Sequence, residues 1–298
     1  MKTLAVEFPA RAVCRVLGVS SSGYYDWLKR QPSKRQLANQ ELLLLICQAY
    51  EQGRKTYGSP RVTEMLKRQN QPCGRHRVAR LMRQAGLRGV QKPAFRPRTT
   101  ESKHPLPIAR NRLKESEAPS EPNRVWVTDI TYIATLEGWL YLAVVMDLCS
   151  RKIVGWATAD HLKSSLVKEA LRRALVHRRP PPGLLHHSDR GIQYASQDYR
   201  SLLQLHQIVA SMSAQGNCYD NASMESFFSR LKSELIHRQT WRSHAEVTLA
   251  IFDYVETFYN RQRLHSSLNY QSPTEFEEQH GHADRSRKQS AVSQLCKN

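Results

Sequence analysis

The sequence predicts an α/β core preceded by an all-α region that contains helix-turn-helix units. The core is predicted by three β-rich runs that are joined by short turns. Alternating helix and strand patterns follow these runs. The net charge of +19 is concentrated in the all-α region, since residues 1–120 contain 24 lysines and arginines against 8 acidic residues. Residues 121–298 contain 21 lysines and arginines against 18 acidic residues and are nearly neutral. A basic surface of this size attracts polyanions, which indicates a nucleic-acid-binding module.

The hydropathy pattern does not fit a membrane or secreted protein. Hydrophobic residues make up 40% of the chain, but no run approaches the roughly 20 apolar residues of a membrane-spanning helix. The first ten residues lack the apolar block of a secretory signal. The six cysteines have no spacing typical of a zinc site. We therefore expect a cytosolic protein without structural zinc.

Two helix-turn-helix units are predicted, the first in residues 1–35 and the second in residues 36–97. In the first unit, a short helix ends at Gly18, and Ser20 caps a second helix that contains Trp27. The second unit has three predicted helices, which run from residue 39 to 53, from the Tyr57-Gly58-Ser59-Pro60 turn to about residue 69, and onward from Gly74.

The helix after Gly74 combines an apolar stripe with a basic side. Arg80 and Arg83 lie opposite the stripe and Arg77 lies at its margin. When the apolar stripe of such a helix packs on the preceding helices, its guanidinium groups face outward and can contact DNA phosphates and base edges. These three arginines are therefore candidate DNA-binding residues. The alternative is an ordinary helical bundle with a solvated basic face. The predicted stripe consists of Val78, Leu81, Met82 and Ala85.

A proline-rich linker, residues 98–121, is predicted to separate these units from the core, residues 122–238. The core has the order of three strands, helix, strand, helix, strand, helix, which is the order of the ribonuclease-H-like fold. A C-terminal helical extension, residues 239–282, and a flexible polar tail, residues 283–298, follow. Ser243 and Glu246 are predicted to form a capping box at the start of one long helix, in which apolar residues repeat with a 3.6-residue period from Val247 to Phe258. The predicted strands are residues 125–133, 139–146, 152–158, 184–188 and 208–212, and the predicted core helices are residues 165–177, 197–205 and 222–236.

Three acidic residues lie at informative points of this order. Asp129 lies inside the first strand, Asp189 follows the fourth strand, and Glu225 lies on the last core helix, with 35 residues between Asp189 and Glu225. A carboxylate inside an apolar strand is costly unless it is paired or binds a metal. Phosphodiester chemistry uses two metal ions about 3.5–4 Å apart, and Mg²⁺ prefers carboxylate oxygens. The three residues are therefore candidate catalytic residues and metal ligands.

Four nearby charged residues each have two interpretations. Lys232 lies seven positions after Glu225 on the same helix face, and it either holds a DNA phosphate or forms a helix ion pair. Arg261 and Arg263 either contact DNA or cap the preceding helix. Asp220 competes for the role of third carboxylate, but its position just before the helix favours an N-cap.

Three further polar residues near these elements are predicted to be structural. His186 and His187 end the fourth strand, and they have no cysteine or further histidine at metal-ligand spacing. They are therefore expected to be packed or hydrogen-bonded strand residues. Asp147, beside a strand-end turn, is expected to stabilise that turn.

Several motifs are shared with one known family. They are Trp126-Val127-Thr128-Asp129-Ile130-Thr131-Tyr132, His187-Ser188-Asp189-Arg190-Gly191-Ile192-Gln193-Tyr194, Asp220-Asn221-Ala222-Ser223-Met224-Glu225-Ser226-Phe227-Phe228, Asn260-Arg261 and His265-Ser266-Ser267-Leu268. The sequence resembles the OrfB transposases of the bacterial insertion-sequence-three family, which belong to the retroviral-integrase superfamily. Because Tyr57 to Arg61 and Arg77 to Leu87 resemble the family's helix-turn-helix, the resemblance covers nearly the whole chain.

The resemblance implies an integrase catalytic core in which Asp129, Asp189 and Glu225 hold two Mg²⁺ ions, or Mn²⁺ in their place. It implies cleavage at a 3′ end of the element, attack of that 3′-OH near the other end, and later integration of a circular intermediate. The implied partners are double-stranded DNA of the terminal inverted repeats and of the target, further copies of the chain, and an OrfA product or OrfAB fusion. The implied location is the bacterial cytoplasm, at the nucleoid.

Two alternatives stay open on the sequence alone. One is a catalytically silent DNA-binding regulator of transposition that depends on an OrfA partner, and the other is a nuclease of the same fold that never joins ends. The fold does not separate them. The complete acidic triad favours the transposase, and the absence of a sustained heptad repeat indicates the OrfB part alone.

Overall fold

The computed structural model describes residues 4–90, 106–213 and 222–281. The chain divides into two compact units, Met1–Arg88 and Gly89–Asn298. Within the described ranges, no helix combines the length and apolar character that crossing a bilayer requires. The predicted tail, residues 283–298, lies outside the described residues.

The first unit is all-α in the part that the structure describes, as predicted. Its helices are α1 (Leu4–Glu7), α2 (Ala10–Val16), α3 (Ser21–Lys29), α4 (Lys34–Gln52), α5 (Ser59–Arg68) and α6 (Arg75–Gln84). The first predicted helix-turn-helix corresponds to α2 and α3. Gly18 turns the chain with a φ of +64°, which a glycine adopts without strain. Ser20 Oγ then accepts the backbone N–H of Gly23 at 3.3 Å and caps α3.

The second helix-turn-helix is built from α4, α5 and α6. α4 begins five residues earlier than predicted, because Ser33 and Gln36 form a capping box with hydrogen bonds of 3.2 and 2.7 Å. α5 begins at the predicted turn, with Pro60 in its first turn. Ala85, predicted to lie on the apolar stripe of α6, is exposed at the C-terminal cap of that helix. The buried residues of these helices include Leu42, Ile46, Val62, Leu66, Val78, Leu81 and Met82.

The second unit is built on a mixed five-stranded sheet, which confirms the predicted α/β core. The strands are β1 (Val125–Thr135), β2 (Gly138–Asp147), β3 (Ile153–Ala159), β4 (Leu185–Ser188) and β5 (Val209–Met212). Their order in the sheet is β3-β2-β1-β4-β5. β1, β2 and β3 form an antiparallel meander, whereas β4 is parallel to β1 and β5 is parallel to β4.

The helices of this unit follow the predicted order, apart from a short additional helix at residues 192–195 that was not predicted. They are α7 (Ser164–Arg178), α8 (Ile192–Ala195), α9 (Gln197–Leu205), α10 (Ala222–Glu234) and α11 (His244–Phe252). α7 approaches β3 closely at Gly155, where an added Cβ would overlap the carbonyl oxygen of Ala170. Since that overlap excludes any side chain, only glycine allows α7 to pack here.

Part of the predicted linker packs on the core. Ser211 Oγ, on β5, accepts the backbone N–H groups of Arg112 at 3.0 Å and of Leu113 at 3.3 Å. Leu106 and Ala109 pack against the main cluster of buried apolar residues. These residues therefore contribute to the core, although their sequence shows no apolar periodicity.

The C-terminal extension changes helical geometry along its length. Ser243 Oγ accepts the backbone N–H of Glu246 at 3.1 Å, so the predicted N-terminal cap is present. α11 ends at Phe252, and a π-helical segment, Asp253–Tyr259, continues it. The prediction of one continuous helix of 3.6-residue period is therefore wrong for this segment. Hydrogen bonds from residue i to i+5 bring residues five apart onto one face, which buries Tyr254 and Tyr259 together.

Asn260, directly after the π-helical segment, pairs with the edge strand β3. Its Oδ1 accepts the backbone N–H of Ile153 at 2.9 Å, and its Nδ2 donates to the carbonyl of Ile153 at 3.0 Å. The carbonyl of Trp156, on the same strand, accepts from Arg173 Nη1 at 3.2 Å. Side chains thus take the place that a neighbouring strand would have at these two residues.

A partly buried ionic network connects the C-terminal helix, residues 273–281, to the core. Glu277 accepts both terminal nitrogens of Arg178 at 2.8 Å, Lys152 Nζ at 3.0 Å and Ser150 Oγ at 2.8 Å. Burial by itself would raise the pKa of Glu277, but its hydrogen bonds and the positive charges of Arg178 and Lys152 outweigh burial and lower it. Asp147 accepts the backbone N–H of Ser150 at 2.9 Å, which confirms its predicted structural role.

We expect Glu277→Gln to destabilise the second unit by about 3 kcal/mol at neutral pH, because the Arg178 charge loses its partner. The pKa of Glu277 is lowered in the folded protein, so its contribution is present above the ordinary glutamate pKa and is lost as the pH falls through the lowered value. The difference between variant and wild type should therefore shrink below about pH 4. Urea unfolding of both proteins, followed by tryptophan fluorescence at pH values from neutral to below about 4, measures this difference in the free energy of unfolding. A difference that stays constant with pH would contradict this role.

Candidate active site

The parallel pairing of β1 with β4 brings Asp129 and Asp189 together. Val125 lies opposite Leu185 and Val127 lies opposite His187, so paired residues differ by 60 in number. The same register, extended by two residues, sets Asp129 opposite Asp189, just after β4 ends. Two carboxylates therefore lie side by side where a parallel strand ends, which is where ligands bind in open α/β sheets.

Backbone hydrogen bonds orient both aspartates. Oδ1 of Asp129 accepts the N–H of Ile130 at 2.8 Å, and Oδ1 of Asp189 accepts the N–H of Gly191 at 2.9 Å. A Cβ added to Gly191 would lie 3.0 Å from Oδ1 of Asp189. The glycine therefore allows the backbone to approach the carboxylate closely enough to fix its direction.

Helix α10 brings Glu225 and Lys232 within electrostatic reach of Asp129. Burial is the main cause that raises the pKa of Asp129 well above its usual range, and the negative charges of Asp189 and Glu225 raise it further. A backbone hydrogen bond and the positive charge of Lys232 act in the opposite direction. Lys232 is partly buried, with Nζ 4.9 Å from the centroid of the Tyr132 ring. Its burial lowers its pKa, and the charge of Asp129 opposes that effect.

Tyr194 lies close to both aspartates and was not singled out from the sequence. Its side chain is buried, and its hydroxyl lies 3.4 Å from Oγ1 of Thr128. Burial raises the pKa of Tyr194 well above its usual value, and the charges of Asp129 and Asp189 add to that effect. The hydroxyl is therefore neutral beside two carboxylates. The available signal was its position at the end of the motif that contains Asp189.

The donor groups suit magnesium, but they are not arranged as a closed metal site. Asp129, Asp189 and Glu225 supply carboxylate oxygens, which are the ligands that Mg²⁺ prefers. Among the described residues, no three histidine, cysteine, aspartate or glutamate side chains are arranged to hold one ion. The repulsion among carboxylates that raises the pKa of Asp129 is the interaction that a bound cation would relieve.

Arg151, in the predicted turn between β2 and β3, contacts the first turn of α10. Its Nη1 donates to Oγ of Ser223, two residues before Glu225. This contact was not predictable from the sequence, because Arg151 and Ser223 are 72 residues apart and no local pattern relates them. Asp220, the predicted N-cap of this helix, lies outside the described residues.

The two histidines of β4 are structural, as predicted. Nε2 of His186 lies 2.6 Å from the hydroxyl of Tyr199. The ring nitrogens of His187 lie 2.9 Å from Ser211 Oγ and 3.0 Å from Ser213 Oγ. Burial lowers the pKa of His186 to about 3, so its ring is neutral at physiological pH. These contacts fix the end of β4 against β5 and α9.

Arg263 is enclosed within the protein, whereas the sequence suggested that it contacts DNA. Its side chain is 0% exposed, and its Nε and Nη2 donate to the carboxylate of Glu234 at 2.8 and 2.5 Å. A guanidinium that is enclosed by protein and paired with a carboxylate cannot reach a DNA phosphate, so the expectation for Arg263 is corrected to a structural role. Arg261, two residues earlier, is exposed.

The candidate DNA-binding arginines of α6 fall into two groups. Arg80 and Arg83 are exposed on the side of the helix away from its buried residues. Arg77 is partly buried, and it donates to Asn39 Oδ1 at 2.9 Å and to the carbonyl of Ala38 at 3.3 Å. Arg77 therefore ties α6 to α4, whereas Arg80 and Arg83 project to the surface.

Both candidate regions match known protein families. Residues 37–95 match an HTH-like domain, and residues 119–218 and 225–280 match two models of the integrase core domain. Asp129 and Asp189 lie in the first integrase segment, and Glu225 begins the second. The predicted fold class is therefore confirmed at the level of the family.

Solved structures of viral integrases are similar to part of the chain. The structure of the simian T-cell lymphotropic virus intasome with PP2A regulatory subunit B56 gamma gives a TM-score of 0.46 and 17% identity, over 60% of each chain. The HTLV-2 integrase catalytic core domain in complex with magnesium gives a TM-score of 0.41 and 16% identity, over 53% of this chain and 97% of that one.

Curated relatives align along most of the chain. The Shigella sonnei protein named insertion element IS600 uncharacterized 31 kDa protein is 46% identical over 268 residues, which cover 90% of this chain and 98% of that protein. Transposase InsF for insertion sequence IS3A, from Escherichia coli strain K12, is 42% identical over 273 residues, which cover 91% and 94% of the two chains. Because this likeness extends from the HTH-like domain through the integrase core, the chain belongs to the insertion-sequence transposase family that includes InsF.

Proposed function

We propose that this transposase cleaves the 3′ ends of its element and joins them to DNA with Asp129, Asp189 and Glu225 as ligands of two Mg²⁺ ions. The register between β1 and β4 carries this assignment, because it aligns Asp129 with Asp189, and Asp129 lies within electrostatic reach of Glu225. Mn²⁺ would substitute, since it accepts the same oxygen ligands.

The chain's own residues supply the geometry of the reaction. The bound ions would stabilise the attacking and leaving oxygens of the displacement at phosphorus. Asp129 and Asp189 lie on paired strands, which keep their separation constant. Glu225 lies on α10, which brings its charge within electrostatic reach of Asp129. Lys232, partly buried near Asp129, offers a positive charge for the scissile or the adjacent phosphate.

We further propose that residues 36–97 hold the double-stranded DNA of the terminal inverted repeats while residues 122–238 act on the ends and on target DNA. Arg80 and Arg83 would contact this DNA, and Arg77 would support them by fixing α6 on α4. Arg261 offers a further exposed contact. Two element ends must be joined, so the working complex contains at least two copies of the chain, together with an OrfA product or as an OrfAB fusion.

A regulator of transposition that depends on an OrfA partner is the second candidate. The observation in its favour is that, in the described part of the chain, no three potential ligands are arranged around one ion. End-labelled element DNA incubated with Mg²⁺ and the protein, with and without an OrfA partner, separates the candidates. Joined strands support the transposase, nicked strands without joining indicate a nuclease, and unreacted strands under both conditions support the regulator.

We expect Asp129→Asn, Asp189→Asn and Glu225→Gln each to reduce cleavage and strand transfer by at least about 100-fold, because each removes one metal ligand. DNA binding should be retained, because phosphate contacts and not the carboxylates supply most of the affinity. Strand-transfer gels and fluorescence-anisotropy titrations measure the two properties in the same preparations.

Asp198→Asn is the matched control for these variants. Asp198 is an exposed aspartate of α9, paired with Lys168 at 3.0 Å, so its neutralisation should leave both properties near wild type. Wild-type strand transfer in any one of the three triad variants would remove that residue from the proposed site.

Replacement of Arg80 or Arg83 by Ala should weaken DNA binding at all sequences and flatten its salt dependence. Removal of one phosphate interaction should reduce the slope of log K against log salt concentration by about 0.9. Anisotropy titrations of the full chain at several salt concentrations measure this slope. Arg173→Ala is the matched control, because Arg173 is also a half-exposed helical arginine but lies in the integrase core and pairs with Glu169. An equal reduction of the slope in the control would contradict the assignment to α6.

Lys232→Gln should slow strand transfer about 10- to 100-fold, because it removes a charge-assisted contact to a phosphate. Lys232→Arg keeps the positive charge and should recover part of the rate. Single-turnover strand-transfer rates at saturating DNA measure both variants. Equal rates for Lys232→Gln and the wild type would assign Lys232 to its alternative role as a structural residue of α10.

A further inference from the structure

Helix α10 presents functional groups on two opposite faces. An α-helix turns by about 100° per residue, so Lys232, seven residues after Glu225, lies within about 20° of it. Glu234, nine residues after Glu225, points in the opposite direction by the same arithmetic. The front face therefore carries Glu225 and Lys232 towards Asp129, and the back face carries Glu234 away from it.

The back face of α10 is bound to the C-terminal extension by polar contacts that are unusual for a protein interior. The carboxylate of Glu234 accepts Nε of Arg263 at 2.8 Å, Nη2 of Arg263 at 2.5 Å and the hydroxyl of Tyr254 at 2.8 Å. Phe227, also on the back face, packs edge-on against Tyr259 with ring centroids 4.8 Å apart. Glu234, Arg263 and Tyr254 are all buried.

The π-helical segment determines where these partners lie. Tyr254 and Tyr259 are five residues apart and both contact α10, which requires the wider π-helical turn. The backbone N–H of Arg263 donates to the carbonyl of Phe258, again five residues earlier, at 2.8 Å. Tyr254 lies in the π-helical segment and Arg263 lies after it, and both reach the carboxylate of Glu234.

Stability alone does not account for this arrangement. Transfer of a glutamate and an arginine from water to the protein interior costs free energy, and their mutual attraction roughly balances that cost. A protein with well-packed apolar residues in their place is often as stable as one with the ion pair. Nη1 of Arg263 is also buried without a hydrogen-bond partner among the described residues. A directional, two-point ion pair does, however, fix the rotation and the axial position of a helix in a way that apolar packing does not.

We propose that the Glu234–Arg263 pair is a positioning device that sets the rotation of α10 and thereby directs Glu225 and Lys232 towards Asp129. This inference rests on the proposed function, since Glu225 is its target as the third metal ligand. Glu234 and Arg263 touch neither metal nor DNA. They act through the helix, by holding its back face on the C-terminal extension.

The test is the double variant Glu234→Leu/Arg263→Met, which removes both charges and refills the space with apolar side chains. We expect it to fold with a melting temperature near that of the wild type and to bind Mn²⁺ about tenfold more weakly in titrations followed by electron paramagnetic resonance. Strand transfer should fall by a similar factor at low metal concentration and recover at high concentration. Arg263→Lys, which keeps the charge but loses the two-point geometry, should give intermediate Mn²⁺ affinity.

Glu277→Gln is the control, because it breaks another arginine–glutamate pair of the same unit, partly buried, in which neither residue lies on α10. It should lower the melting temperature and leave Mn²⁺ affinity unchanged. Wild-type Mn²⁺ affinity in the folded double variant would overturn the inference. If the double variant does not fold, the Mn²⁺ affinity of Arg263→Lys is measured at a temperature below its unfolding transition. Wild-type affinity in that variant would overturn the inference.

Asp129→Asn in the same titrations separates this inference from the proposed function. If Asp129→Asn abolishes Mn²⁺ binding while the double variant binds normally, the metal site stands and only the positioning role is wrong. If Asp129→Asn binds Mn²⁺ as tightly as the wild type, the proposed metal site fails, and the positioning role fails with it.

Discussion

The register between β1 and β4 fixes the geometry on which the candidate site depends. β1 is held on both sides, by ten antiparallel pairs with β2 and by parallel pairing with β4, so it cannot shift against one strand without breaking the other ladder. A shift of one residue would also turn Asp129 to the opposite face of the sheet. The hydrogen bonds of His187 to Ser211 and Ser213 extend the same constraint to β5. The separation of the two aspartates is therefore set by the whole sheet.

The third carboxylate is held by a different kind of structure. Glu225 lies on a helix whose front face meets the negative charge of Asp129 and whose back face is fixed by Glu234 and Arg263. The described residues contain no assembled three-ligand cluster, although the charges of Asp189 and Glu225 both act on Asp129. Strand pairing thus positions two of the carboxylates, and the contacts on the back face of α10 position the third.

The sheet and the helix order were predictable because their signals are local. Apolar runs of strand length, short turns and 3.6-residue periodicity lie within a few residues of each other, and an acid inside an apolar strand identifies Asp129. The positions of Asp189 after the fourth strand and of Glu225 on the last core helix placed them in the same candidate site, and the motif resemblance implied the same three residues. The role of Arg263 was not predictable, because a basic residue after a helix has the same local pattern whether it faces DNA or a buried carboxylate. Arg151 and Tyr194 likewise depend on partners more than 60 residues away in the chain.

The edge of β3 has a consequence for how copies of this transposase can associate. Asn260 occupies both backbone groups of Ile153, and Arg173 occupies the carbonyl of Trp156. An exposed strand edge is a template on which a second chain can add its own strand, and such addition is the usual route to uncontrolled aggregation. Here that route is closed at two residues of the outer strand. A second copy of the chain therefore cannot add a strand through the backbone groups of Ile153 or the carbonyl of Trp156.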